Sequence, residues 1–231
     1  MTQRKIAYWV IPPNCDAEFA ANMEEVLETY ERPYNADCPV ICMDEQPVQL
    51  IRETRHPIAA TKERPRRVDY EYERAGTASI FVFTEPLAGW REVHARPQRT
   101  KADWALEVAH LLERRYGDCK RVTVVCDNLN THTKGAFYEA FEPDRARALV
   151  RQIKFCYTPK HGSWLNIAEN ELSAMTRQCL SNRPMGDIKT LQGEISAWSY
   201  DVNTKQQGVD WQMKLSDARR KLKSVYPKIK S

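Results

Sequence analysis

Residues 122–126, VTVVC, form a largely apolar and β-branched run set between two segments of helical periodicity. That placement constrains the fold strongly. The run reads as a buried strand, and strands that alternate with helices build a sheet with helices packed on its faces. Upstream, TKADWALEVAHLLERRYG (100–117) predicts a helix, with Trp104, Val108, Leu111 and Leu112 as its stripe and Gly117 as its stop. Downstream, a helical region covers GAFYEAF and PDRARALVRQ, and IKFCYTP returns to strand. A longer helix follows over 163–180 with Ser163 as its expected N-cap. DIKTLQGEISAWSYDVN adds another, and the end is polar and basic.

The first hundred residues have a different rhythm. DAEFAANMEEVLETYE (16–31) reads as an acidic amphipathic helix with Phe19, Met23, Val26, Leu27 and Tyr30 on one side. PVICMDE (39–45) reads as a short strand. Residues 46–66, with Pro47, Pro57 and Pro65, read as irregular. VDYEYER, ASIFVFTEP and WREVHARP predict two or three strands of an antiparallel meander, turning near Gly76 and Gly89. Strands first as a meander and then alternating with helices give an α/β fold, a mixed β-sheet flanked by helices.

No apolar run approaches the length of a membrane span, and MTQRKIAYWVIPP has no signal-peptide hydrophobic region. The seven cysteines are odd in number and form no CxxC pair, so neither a disulfide framework nor a zinc knuckle is expected. The expected location is a reducing cytoplasm. The net charge of +4 is uneven: residues 1–50 hold nine acidic and three basic side chains, so the remainder is markedly basic. Such an excess permits nucleic-acid contact without requiring it.

Two apolar runs close on acids, PVICMDE on Asp44 and VTVVCDNLNTH on Asp127. If these strands are parallel neighbours, both carboxylates emerge at one sheet edge, where open α/β sheets bind ligands. Like charges held together are unfavourable unless a cation shares them. Hard oxygen donors suit Mg²⁺ or Mn²⁺. A pair of such ions can activate water and stabilise the leaving oxygen in phosphodiester cleavage. A third carboxylate is then needed, and Glu169 and Glu171 both flank the apolar stripe of helix 163–180, so helix geometry does not choose between them. Glu45 is expected to point away from Asp44, His132 to cap its loop, and Trp164 to lie in the core.

The ordered blocks PVICMDE, VVCDNLNTH and YTPKHGSWLNIAENEL resemble the catalytic core of DDE transposases, in the bacterial insertion-sequence 630 branch of the mariner superfamily. The resemblance implies a ribonuclease H-like fold and two divalent ions, Mg²⁺ or Mn²⁺, held by Asp44, Asp127 and Glu169. The Glu following Leu-Asn in LNIAE is what selects Glu169 over Glu171. It implies cleavage of DNA at transposon ends and transfer of the released 3′-hydroxyl into target DNA, with a homodimer as a possible assembly. The implied division is an N-terminal helical arm and linker (1–36), a catalytic core (37–182) and a C-terminal helical and basic appendage (183–231). The helix-turn-helix modules that such proteins carry ahead of the core do not stand in this sequence, as in a fragment, the second frame of a split gene or a decayed copy.

DNA contacts are therefore expected to be phosphate contacts. The candidates are Arg64, Arg66 and Arg67, Lys160 and His161 in the loop before LNIAE, and Arg219, Arg220, Lys221 and Lys223 in the tail. The alternative readings are an inactive or domesticated DNA-binding or assembly protein of the same fold, or another ribonuclease H-like nuclease.

Overall fold

The computed structural model describes residues 16–55, 58–65, 67, 69, 71–181 and 183–227. Among them five strands form one sheet in the order β3-β2-β1-β4-β5. These are β1 (Val40–Glu53), β2 (Tyr72–Glu85), β3 (Trp90–Arg96), β4 (Val122–Cys126) and β5 (Ile153–Tyr157). β1, β2 and β3 are an antiparallel meander, whereas β4 pairs parallel with both β1 and β5. This is the mixed sheet expected from the sequence.

Alternation along the strands sorts their side chains between two faces. Ile41, Met43, Phe81, Phe83, Val122, Val124 and Cys126 face one way. Helices α2 (Lys101–Arg115), α3 (Lys134–Ala140) and α4 (Pro143–Gln152) cover them. α2 begins where the sequence places it, because Thr100 and Asp103 form a reciprocal capping box. Cys42, Val125 and Cys156 face the other way, against α1 (Ala17–Glu31) and the start of α5 (Ile167–Met175). All five expected stripe residues of α1 are buried, and α7 (Leu215–Lys221) packs beside it through Ala218. On the meander, Ile80, Val82, Val93 and Ala95 lie under the end of α5 and α6 (Ile188–Lys205). No helix of the described residues is long and apolar enough to cross a membrane.

Three local expectations are corrected. β1 does not stop at residue 45 but runs through Pro47 to Glu53. Its pairing with β4 covers only Val40–Cys42. Beyond that point no strand pairs with that side of β1, so a residue without an N–H is tolerated at position 47. β2 is likewise continuous through Gly76, whose φ of +103° sits opposite the register shift between Gln49 and Ile51. The segment expected as one helix over 163–180 is broken. Ser163–Leu165 is a 3₁₀ turn, Asn166 rather than Ser163 caps α5, and Thr176–Leu180 closes as a π-helical turn.

Candidate active site

The parallel register sets Cys42 opposite Val125. Carried two residues further, it sets Asp44 level with Asp127, the first residue beyond β4. By the same alternation both acids lie on the face that α5 covers. Glu169 enters from the first turn of α5, whose Ala168 and Leu172 are buried against the sheet. Asn166 fixes this approach. Its Nδ2 donates to the Met43 carbonyl at 2.8 Å, one residue before Asp44, while its Oδ1 accepts from the Ala168 N–H at 3.1 Å. The Leu-Asn ahead of Glu169 is therefore an anchor: one side chain caps the helix and ties it to the strand that carries the first acid.

The electrostatics follow from this convergence. Burial pushes the Asp44 carboxyl up to about 6, and the negative charges of Asp127, Glu169 and Glu45 push in the same direction. The Glu45 N–H, donated to Asp44 Oδ1 at 2.7 Å, opposes them. Among the described residues the Glu169 carboxylate has neither a hydrogen bond nor an ion-pair partner. Glu171, two residues on, is fully engaged: Arg91 Nε and Nη2 donate to its two oxygens at 2.9 and 2.8 Å. Helical periodicity left the two glutamates equivalent, and a guanidinium 80 positions away in the chain distinguishes them.

His132 was expected to cap a loop, and it does more. It is buried to 1 % exposure, with Nδ1 2.6 Å from Asp127 Oδ1 and Nε2 3.1 Å from Glu45 Oε1. Trp104 stacks on its ring at 5.2 Å, and Tyr157 donates to its carbonyl at 2.8 Å. Burial alone would lower the imidazole pKa, but the partners Asp127, Cys126 and Glu45 outweigh it and hold the ring protonated, pushed up to about 12. His132 thus joins Asp127 on one side of the sheet edge to Glu45 on the other. The turn DNLNTH folds back on this histidine.

The chain belongs to the DDE superfamily endonucleases. A model of that family matches residues 39–192, a span that includes all three acids. No curated protein sequence matches significantly. Among solved structures, this chain is similar to a Mos1 mariner paired-end complex with Mn (TM-score 0.56, 15% identity), covering 97% of this chain and 66% of that one. It is similar also to the Mos1 strand transfer complex (TM-score 0.59, 15% identity, 97% and 65%). A Mos1 paired-end complex with Mg matches at a TM-score of 0.55 and 15% identity, with coverages of 89% and 61%. The likeness shows the ribonuclease H-like fold, and the chain spans just under two thirds of the length of those Mos1 chains.

The donor set of this chain fits hard divalent cations. Asp44, Asp127 and Glu169 offer carboxylate oxygens, one of them Asp127 Oδ1, a buried atom with no hydrogen bond of acceptable geometry. The nucleic-acid candidates are more scattered. Lys160 and His161 are exposed in a tight turn, with the Gly162 N–H on the Pro159 carbonyl at 2.8 Å, and this turn leads into the Glu169 segment. Arg64 and Arg67 are exposed beside the Ile58–Arg67 bridge, while Arg66 lies outside the described residues. Arg219 is held by Glu24 through two bonds of 2.7 Å, and Arg220 by Asp217 at 2.7 Å. Lys221 and Lys223 lie in the same exposed tail.

Proposed function

We propose that this chain is the catalytic domain of a cut-and-paste transposase of the insertion-sequence 630 branch, acting on DNA in a bacterial cytoplasm. It would cleave the phosphodiester backbone at transposon ends and join the released 3′-hydroxyl to target DNA. One observation carries this reading: Asp44 and Asp127 come level on adjacent parallel strands, on the face from which Glu169 approaches without a partner of its own. Asp44, Asp127 and Glu169 would hold two Mg²⁺ or Mn²⁺ ions. When bound, such ions activate the attacking oxygen and stabilise the leaving one. His132 orients the Asp127 carboxylate, Asn166 fixes Glu169 relative to β1, and Arg91 keeps Glu171 out of the site.

Lys160 and His161, exposed in the turn that leads into the Glu169 segment, would meet the phosphate backbone. Arg64, Arg66 and Arg67 and the tail residues Arg219 and Arg220 would add nonspecific contacts. Joining two ends requires that two sites be brought together, and a homodimer is the simplest assembly that does so. The domain division that goes with this reading is an arm over 1–36, a core over 37–182 and an appendage over 183–231.

The test is nicking of supercoiled plasmid, and of duplexes carrying the element's terminal repeats, in Mn²⁺. Asp44→Asn, Asp127→Asn and Glu169→Gln should each abolish it. Retention of wild-type nicking by any of the three removes that residue from the site.

A further inference from the structure

Apart from the three acids, a cluster of potential metal-ligating side chains lies where β3 meets α2. Alternation on β3 puts Glu92, His94 and Arg96 on one face. Helical spacing puts Glu107 and His110 on the side of α2 that meets them. Three potential donors converge: Glu92, His94 and His110 each offer one ligand atom within 4.8 Å of the other two. Glu92 Oε1 stands 3.1 Å from His94 Nε2 and 3.7 Å from His110 Nε2. Donors bound to a tetrahedral ion at about 2.0–2.1 Å stand about 3.3–3.4 Å apart, so the two measured edges bracket that figure. The imidazoles cross at 68°, with centroids 5.4 Å apart.

Two further observations point to a ligand. The Glu92 side chain is only 10 % exposed, yet its Oε1 is buried with no hydrogen bond of acceptable geometry. The other nitrogen of His94, Nδ1, is bonded to Glu107, whose second oxygen is held by Arg96 Nε. A histidine whose remote nitrogen is bonded to a carboxylate is the usual arrangement behind a metal-bound imidazole, because it fixes the tautomer and raises the basicity of the ligating nitrogen. A protonated His94 shared between two acids would explain its bond to Glu107. With His110 and Arg114 also drawn to Glu92, at 3.7 and 3.9 Å, that reading is an ion-pair network, and it leaves Glu92 Oε1 buried without a well-aligned hydrogen bond.

We propose that Glu92, His94 and His110 form a site for a borderline transition-metal cation, Zn²⁺ foremost, that clasps the edge strand β3 to α2. Two imidazoles and one carboxylate select Zn²⁺ over Mg²⁺. His110 is 48 % exposed, which leaves the fourth position open to water. The site is separate from Asp44, Asp127 and Glu169 and shares no residue with them.

The test uses the full chain, stripped with chelator and titrated with Zn²⁺ by calorimetry and with Co²⁺ by visible absorption. A background of Asp44→Asn with Asp127→Asn excludes the carboxylate site. The expected result is one equivalent of Zn²⁺ bound in that background, a tetrahedral Co²⁺ spectrum displaced by Zn²⁺, and a raised melting temperature. His110→Ala, a change at a half-exposed position, should remove that equivalent while leaving the circular dichroism spectrum unchanged. Glu92→Gln gives a second, independent loss. The proposal is overturned if the Asp44→Asn, Asp127→Asn background binds no Zn²⁺, or if His110→Ala and Glu92→Gln both keep the full equivalent. In either case the cluster is an ion-pair network around His94.

Discussion

Glu169 and Glu171 sit two residues apart on one short helix, and the structure gives them opposite burdens. Glu171→Gln should lose stability and keep activity, and Glu169→Gln should do the reverse. The side chains of Arg91 and Glu171 are 6 % and 12 % exposed. Removing one partner of a buried pair leaves the other charge uncompensated, at a cost of about 3–5 kcal/mol. Gln keeps one acceptor, and Arg91 also donates to the carbonyls of Gly89 at 3.1 Å and Gln207 at 3.4 Å. The lower end of that range, about 3 kcal/mol, is therefore expected. For a chain of this size each kcal/mol moves the midpoint by roughly 2–4 °C, so Glu171→Gln should melt roughly 6–12 °C lower. Glu169 has no partner among the described residues to lose, and neutralising it relieves repulsion at Asp44. Its variant should melt at or slightly above the wild-type midpoint.

The assay pairs metal-free thermal scans with Mn²⁺-dependent nicking measured well below both midpoints. Wild-type nicking is expected for Glu171→Gln and none for Glu169→Gln. Nicking by Glu169→Gln, or its loss in a Glu171→Gln protein that is still folded, would refute the assignment of the third acid. A Glu171→Gln variant as stable as wild type would refute the argument from the buried pair.

Four further outcomes are expected. The folded-state pKa of Asp44, raised from 3.8 to about 6, means the folded protein holds a proton there that the unfolded chain releases. Stability without metal should thus fall between about pH 4 and 6. Asp44→Asn keeps an acceptor for the Glu45 N–H and should be the more stable protein above that window, by on the order of 2–3 kcal/mol, and no more stable below it. Mg²⁺ should offset the penalty in wild type, by about 2.7 kcal/mol at a hundredfold excess over its dissociation constant, and should leave the triple carboxamide variant unmoved; equal responses in the two proteins would place the ion elsewhere. Asn166→Ala removes a helix cap and a buried bond to β1, so a loss of about 1–3 kcal/mol and slower nicking are expected, measured by denaturant unfolding and plasmid assay. DNA binding by this chain should be indifferent to sequence and fall steeply with salt, and selective retention of one duplex in a salt-titrated filter-binding series would contradict it.

Local pattern carried much of this structure. The stripes of α1 and α2 and the acid at the end of β4 depend on periodicities of two and 3.6, which a sequence displays directly. The continuation of β1 past Pro47 depends instead on where β4 stops pairing, a fact of the neighbouring strand. Ser163 looked like a cap because it precedes an apolar run. Asn166 is the cap because its amide also finds the Met43 carbonyl 123 positions away. The role of Glu171 rests on a similarly distant partner, Arg91. Likewise Glu92, His94 and His110 lie on two elements whose spacing gives no sign that they meet.

The acids around this sheet edge sort themselves by their partners. Glu45 is held by His132 and Glu171 by Arg91, and both are buried where an unpaired charge would be costly. Asp127 is braced by His132 on one side only. Asp44 accepts a single backbone N–H, and Glu169 accepts nothing from the described residues. Arg91 and His132 thus neutralise Glu171, Glu45 and one side of Asp127, while Asp44 feels the negative charges of Asp127 and Glu169 with no base of its own among the described residues. On the proposed reading, a fold that neutralises Glu45 and Glu171 with buried cations of its own, yet leaves Asp44 protonation-prone near Asp127 and Glu169, would draw the missing positive charge from outside. For carboxylate oxygens alone, a divalent cation supplies it most effectively.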